Sequence, residues 1–383
     1  MIYFDNSATT KVAPEVLTTY TKVSQQIWGN PSSLHKLGEV AYGLLEQSRK
    51  QIATLLGVAP HEIFFTSGGT EGDNWIIKGT ALEKQYYGKH IITTSIEHPA
   101  VLNSMAQLEK LGFEVTYLPV DKNGRIDPQD VARAIRPDTI LVSMMAVNNE
   151  VGTVEPINEV ARILRDYPRI HFHLDAVQAI GKGIENLLTN DRVDMLTFSG
   201  HKFHAPRGIG FIYKKTGRTL APLMSGGGQE KGMRSGTENL PAIAGMAKAL
   251  RLLLTDEEAK VTQQRAIRQR IYDHVVQKEK VTVFSPMDEK ISAPHILCFA
   301  IKGVRGETIV HAFEDQDIFI STTSACSSKK HMVSGTLHNM GIDEKIATSA
   351  VRISLDEHNT MAEAEEFIKV FDTLYEKFKA INS

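Results

Sequence analysis

The sequence predicts an α/β protein: a mostly parallel sheet of about seven strands flanked by helices, followed by a smaller α+β part. Three observations carry that expectation. Between residues 63 and 213, short apolar runs alternate with amphipathic stretches of about 10–15 residues, the pattern of parallel strands joined by crossover helices. Polar or glycine-rich residues follow several of these runs, where an open α/β sheet gathers its ligands. The 383 residues also exceed one typical domain. We expect a larger unit at 14–255 and a smaller one made of 1–13 with 256–383.

Taken in order, residues 2–12 read as an extended opening segment. Pro14 starts a helix with Val16, Leu17, Tyr20, Val23 and Ile27 on one face. Asn30-Pro31-Ser32-Ser33 breaks the chain and caps a second helix, which runs to Gly57. Predicted strands follow at 63–66, 91–94, 114–118, 140–145, 170–174, 195–198 and 209–213. Helices are expected from Thr70, from Pro99, near 128–135 and near 156–166. One long helical pattern runs from about Pro241 into the 270s. The tail alternates strands at 281–284, 295–301, 318–321 and 351–354 with helices near 307–313 and 361–378.

Charge and composition exclude several classes of function. With 43 basic and 45 acidic residues, the net charge of −2 offers no field for direct nucleic-acid or membrane binding. No apolar run is long enough to span a bilayer. The first residues, MIYFDNSATT, do not read as a signal peptide, and two cysteines rule out a disulfide framework. A cytoplasmic setting is the expectation.

The chemistry collects after the strands. Ser67-Gly68-Gly69-Thr70 opens a helix and could cradle a phosphate with free N–H groups, although a plain tight turn explains it as well. His98 precedes a helix, where imidazole can stack on a ring, move a proton or simply cap. Asn149 stands in a polar turn. Asp175 ends an apolar strand, with Gln178 three residues on; an acid there needs a partner, such as a protonated heterocyclic nitrogen, or is a helix cap. Lys202 lies between two apolar runs with Ser199, Gly200 and His201, where desolvation would make its amine a Schiff-base nucleophile, although a surface loop with a basic residue explains the stretch alone. Together these needs match pyridoxal phosphate. Cys326 sits among small residues with two lysines close behind, which favours a thiolate nucleophile, although an exposed cysteine is usually an incidental surface residue; Cys298 lies in an apolar run and reads as inert. His201 and His204 are three apart, but no cysteine or carboxylate stands at ligand spacing, so no metal is expected. His331 and His338 read as solvated loop residues.

At this point the residues closely resemble the cysteine desulfurases of the NifS/IscS type, in the class V aminotransferase group. The resemblance rests on YFDNSATT at 3–10, NPSSLH at 30–35, FTSGGTEGDN at 65–74, EHPAVL at 97–102 and NNEVGT at 148–153. It continues with HLDAVQAIGK at 173–182, SGHKFHAPRGIG at 199–210, RSGTEN at 234–239 and SACSS at 324–328. It implies a fold-type-I, pyridoxal-5′-phosphate-dependent homodimer that takes sulfur from L-cysteine and leaves L-alanine. Lys202 would hold the cofactor, Asp175 would pair with its ring nitrogen and Gln178 would touch its phenolic oxygen. His98 would stack on the ring. Gly69, Thr70, Ser199, Gly200 and His201 would hold the phosphate, with Thr237 reaching from a second subunit. Asn149 and Arg352 would meet cofactor and substrate carboxylate, and Cys326 would receive the sulfur as a persulfide. The sulfur acceptor would be an iron–sulfur scaffold protein or a tRNA-thiolating enzyme. Position 146 is Ala where many members have His, and the segment after Cys326 is a compact form, which leans toward a tRNA-thiolation partner. The rival readings are a selenocysteine lyase, a pyridoxal-phosphate transaminase, and a non-enzymatic sulfur-relay subunit.

Overall fold

Runs that are apolar on both sides of the chain become the central strands, because helices cover both faces of a parallel sheet. The computed structural model describes residues 1–184, 187, 190–323 and 334–381. In chain order it opens with β1 (Ile2–Tyr3), α1 (Pro14–Gln26) and α2 (Lys36–Leu56). Next come β2 (Ile63–Thr66), α3 (Gly69–Lys84), β3 (His90–Thr94), α4 (Pro99–Glu109), β4 (Glu114–Leu118), α5 (Pro128–Ala134), β5 (Thr139–Met145) and α6 (Ile157–Leu164). The series closes with β6 (His171–Asp175), β7 (Met195–Ser199) and β8 (Gly210–Lys214).

These strands form one seven-stranded sheet in the order β2-β8-β7-β6-β5-β3-β4. Strand β8 runs antiparallel to both neighbours, and every other pairing is parallel. Strand β4 lies at the edge and is the one with exposed positions. Histidines inside the strands meet hydroxyls: His90 Nδ1 lies 2.7 Å from Thr139 Oγ1 and its Nε2 lies 2.9 Å from Thr116 Oγ1. That pairing is what lets imidazole sit in an apolar sheet.

The second half holds α7 (Leu240–Leu254), α8 (Glu257–Val275), β9 (Val281–Val283), β10 (Ile296–Ile301), α9 (Gly306–Glu314), β11 (Ile318–Phe319) and β12 (Ser321–Thr322). Beyond them lie α10 (Gly335–Asn339), α11 (Glu344–Ala347), β13 (Ala350–Ser354) and α12 (Met361–Ile381). A four-stranded sheet runs β12-β13-β10-β9, and β1 pairs in parallel with β11. Two main cores form, and a smaller cluster packs Val151 against Phe284 and Cys298. One main core groups Phe198, Phe211 and Leu250 among others, and the other groups Phe4, Ile271, Phe299, Phe367 and Phe371.

Several expectations change. The long helix from Pro241 is two helices, broken at Asp256, whose backbone is left-handed (φ 54). The Lys260 ammonium bonds the Leu252 and Leu253 carbonyls, at 2.6 and 3.2 Å, and so finishes α7. The strand expected at 318–321 divides, because its first residues pair with β1 and its last with β13. Helix α2 is capped by His35, whose Nδ1 accepts from the Gly38 N–H at 3.3 Å, and not by the Asn30–Ser33 turn. On α1 only Val16 and Val23 are buried, while Leu17 is half-exposed. His338 lies on α10 and not in a loop. Among the described residues no helix is long and apolar enough to cross a membrane.

Candidate active site

Strand β7 delivers the turn that carries Lys202. Its Nζ donates to the Ser7 carbonyl at 2.6 Å and to the Ala8 carbonyl at 2.9 Å, so the opening segment holds the amine. Gln178 converges on the same carbonyl: its Nε2 donates to Ser7 O at 3.0 Å, and its Oε1 lies 3.2 Å from His295 Nε2. His201 stays beside the lysine with its Nδ1 3.1 Å from Thr9 Oγ1. Burial, and then the charge of Lys202, hold the His201 pKa down to about 4.

Asp175 ends β6 and is buried, with Oδ1 accepting from the Val177 N–H at 3.0 Å. Desolvation pushes its pKa up, and the Val177 N–H and the positive charge around His98 and Lys202 only partly offset this. His98 caps α4, its Nδ1 accepting from the Ala100 N–H at 3.1 Å. That bond leaves Nε2 as the nitrogen that carries the proton in the neutral ring. Burial lowers its pKa; Asp175 opposes the shift and Lys202 adds to it.

Helix α3 begins at Gly69 with no side-chain cap. Gly68, before it, has φ 152 and ψ −175, a conformation essentially reserved for glycine. A Cβ on Gly69 would lie 2.9 Å from Val177 Cγ2 and 3.3 Å from Ser199 Cβ, so that residue must be small where α3, Val177 and Ser199 meet. Thr70 is exposed on the first turn of α3, and Gly200 bonds back across the hairpin to the Ile209 carbonyl at 3.0 Å.

Arg352, on β13, is buried and donates to the Asn149 carbonyl at 2.8 Å and to Asp5 Oδ1 at 2.9 Å, while its Nε has no hydrogen-bond partner. The structure thus joins Lys202 to Gln178, Gly69 to Ser199 and Arg352 to Asn149, with Asp175 in electrostatic reach of His98 and Lys202. Thr237 lies apart, exposed on the segment between residue 232 and α7. Its neighbour Arg234 pairs with Glu71 on α3 at 2.7 Å. Cys326 lies outside the described residues.

Two buried acids escaped the sequence reading. Asp73 is 1% exposed, faces His173 Nε2 at 3.7 Å, and has an Oδ1 with no hydrogen-bond partner. Glu97 accepts from Thr94 Oγ1 at 2.6 Å and from the Met145 N–H at 2.9 Å. Desolvation raises the pKa of both, and the Asp175 charge raises them further. A signal for Asp73 was present: it falls on the same helical stripe as Gly69, Gly72, Ile76, Ile77 and Thr80, all buried. A polar residue on such a stripe is a buried one.

The sequence pattern of the family described as aminotransferase class-V matches residues 2–367. The chain is 61% identical over 382 residues to a "NifS/IcsS protein homolog" of Lactobacillus delbrueckii subsp. bulgaricus, covering 100% of this chain and 99% of that one. It is 39% identical to a "Cysteine desulfurase IscS" of Methanosarcina thermophila, over 99% of this chain and 93% of the other. Among solved structures it is similar to a "NIFS-LIKE PROTEIN", with TM-score 0.91, 38% identity and coverage of 97% and 99%. It is also similar to "SspA in complex with cysteine", with TM-score 0.82, 34% identity and coverage of 94% and 100%. By its sequence pattern, its relatives and its fold, the chain belongs to the aminotransferase class-V family, as a cysteine desulfurase of the NifS/IscS type.

Proposed function

We propose that this chain binds pyridoxal 5′-phosphate, removes sulfur from L-cysteine to leave L-alanine, and holds the sulfur on Cys326 for transfer to an acceptor protein. The observation that carries the reading is the meeting of Lys202, Gln178, Asp175 and His98 beyond the ends of different strands, beside the uncapped start of α3. The donor set suits the cofactor. A cationic ring nitrogen against Asp175 would reverse the cost of its buried carboxylate. The free N–H groups of α3, with Thr70, Ser199, Gly200 and His201, suit a phosphate that the missing Cβ of Gly69 leaves room for. When bound, pyridoxal phosphate supplies an electron sink for charge that develops on the substrate α-carbon.

The chain's own residues supply the rest. Lys202 holds the cofactor and, once its amine is free, moves a proton at the α-carbon. Gln178 and the Ser7 and Ala8 carbonyls fix where that amine rests. His98 packs against the cofactor ring and offers its Nε2 as a proton site. Arg352 has an unpartnered Nε, which supports a role in holding the substrate carboxylate together with Asn149. The Cys326 thiolate attacks the substrate sulfur; the S–S bond forms as the C–S bond breaks, and the carbon side takes up protons to become alanine.

Residues 14–255 would bind the cofactor, with 1–13 and 256–383 as the smaller unit that carries Cys326. The two main cores and the helix break at Asp256 support that division, with Val151 packed against Phe284 and Cys298 across it. The exposed Trp28, Leu34, Leu37 and Tyr42 around α2 support burial against a second copy, from which Thr237 would reach the phosphate. An iron–sulfur scaffold or a tRNA-thiolating enzyme in the cytoplasm would take the sulfur. The test is Cys326→Ala: the purified variant should keep its yellow cofactor and still change spectrum with L-cysteine, yet release no sulfide. Full sulfide turnover by that variant would overturn the proposal.

A further inference from the structure

The turn that carries Lys202 holds another imidazole, and nothing in the proposed reaction uses it. His204 is 6% exposed and sits in left-handed backbone (φ 65). That conformation is costly for a residue with a Cβ, and it persists only where the surroundings fix it. The Nδ1 atom lies 2.8 Å from the Lys11 carbonyl, which makes Nδ1 a proton-bearing nitrogen and turns Nε2 toward the carboxylates. Nε2 lies 3.3 Å from Glu357 Oε2 and 3.7 Å from Asp356 Oδ2. Both carboxylates come from the loop between β13 and α12.

His204 Nε2 and Glu357 Oε2 stand at ion-pair distance, a contact that a divalent cation would replace. Among the described residues neither atom finds a hydrogen-bond partner beyond this ion pair, although both atoms are buried. Lys182, the buried cation that also feels these carboxylates, bonds Gln264 Oε1 at 3.3 Å and neither acid. The next residue, His358, brings a second ring with its centroid 5.2 Å from that of His204. One ligand atom from each of His204, Glu357 and His358 lies within 4.8 Å of the others.

That spacing has a chemical meaning. Bonds of about 2.0–2.1 Å to a tetrahedral zinc ion put neighbouring ligand atoms roughly 3.3–3.4 Å apart. The Nε2–Oε2 separation of 3.3 Å already equals such an edge. A backbone carbonyl holding the far nitrogen of the ring is the usual partner of a metal-bound histidine. We propose that His204, Glu357 and His358, with a solvent molecule in the fourth position, bind one divalent cation of the zinc class. The ion would tie the Lys202 turn to the loop that follows the strand of Arg352, and exposed His358 gives it a path from solvent. His201 takes no part, since its Nδ1 meets Thr9. Spacing alone hid the site because the carboxylates lie far downstream of His204.

The experiment is a metal titration of the holoenzyme, free of affinity tag. After removal of adventitious metal, the protein is equilibrated with Zn²⁺, dialysed against zinc-free buffer and assayed for bound metal; Co²⁺ is then substituted and its visible spectrum recorded. We expect one retained equivalent of zinc and a Co²⁺ spectrum of nitrogen and oxygen ligands, without the thiolate band that binding at Cys326 would give. Glu357→Gln and His358→Ala should each weaken retention by more than about tenfold, since even outer-shell partners are worth that much. His358 is exposed, so its variant keeps the comparison free of misfolding. Absence of the zinc equivalent, a thiolate spectrum, or full retention by either variant overturns the proposal.

Discussion

Lys202 donates to two carbonyl oxygens of the opening segment, at Ser7 and Ala8. Burial lowers the pKa of both His201 and His98, and the charge of Lys202 lowers them further. Lys202→Ala should leave the fold intact, lose the cofactor's visible absorbance, and drop sulfide release below about one-thousandth of the parent rate, read in a sulfide assay. A second residue-scale effect concerns His173, fully buried between Ser143 Oγ at 2.9 Å and Thr197 Oγ1 at 3.0 Å. Burial holds its pKa down to about 3, against about 6.5 in an unfolded chain. The unfolded chain takes the proton first as pH falls. The stability this residue lends is thus intact above about pH 6.5 and is lost toward pH 3, by up to a few kcal/mol. His173→Gln should cost about 1–2 kcal/mol at pH 7 and progressively less on the way to pH 4, measured by urea denaturation at each pH. Asp175 and Gln178 were legible because they follow an apolar strand. Glu97 was not: it stands beside His98 in a turn, and only the fold reveals that Thr94 and Met145 close around it.

At the scale of elements, chain pattern located the strands of the large sheet to within a residue or two, because apolar runs of four to seven residues bounded by turn residues are too short for helices. It failed at the α7–α8 break. Both flanks keep helical composition, and a left-handed Asp looks like any other polar residue in a sequence. The same geometry makes a prediction. Asp256→Gly should raise stability by about 0.5–1 kcal/mol, seen as a higher melting temperature, because glycine adopts φ 54 without the Cβ penalty. Helix α3 offers the opposite case. Gly69→Ala must push Val177 or Ser199 aside, so it should weaken retention of pyridoxal phosphate on dialysis at least about tenfold while the far-ultraviolet spectrum stays that of the parent.

Across the whole molecule, the opening segment does more than composition suggested. Its strand β1 pairs with β11, Asp5 meets Arg352 at 2.9 Å, the Ser7 N–H bonds Ser354 Oγ at 2.8 Å, and the Ser7 carbonyl receives Lys202. Short polar stretches such as Asp5-Asn6-Ser7-Ala8 carry no periodicity, so the sequence could mark them as extended but not say what they touch. Removal of residues 2–10 should leave a chain that folds in part and retains no cofactor, measured by absorbance after gel filtration.

That stitching also sets an order of events during synthesis. Residues 2–7 leave the ribosome early, yet the strand residues they bind, 318–319 and 352–354, are among the last to be made. The lysine turn at 202 can form its hairpin in the growing chain, but its amine finds Ser7 at rest only after the far end has arrived to hold that segment. A nascent chain halted near residue 300 would thus be built but unable to keep its cofactor, so catalytic competence is delivered late in translation and almost all at once.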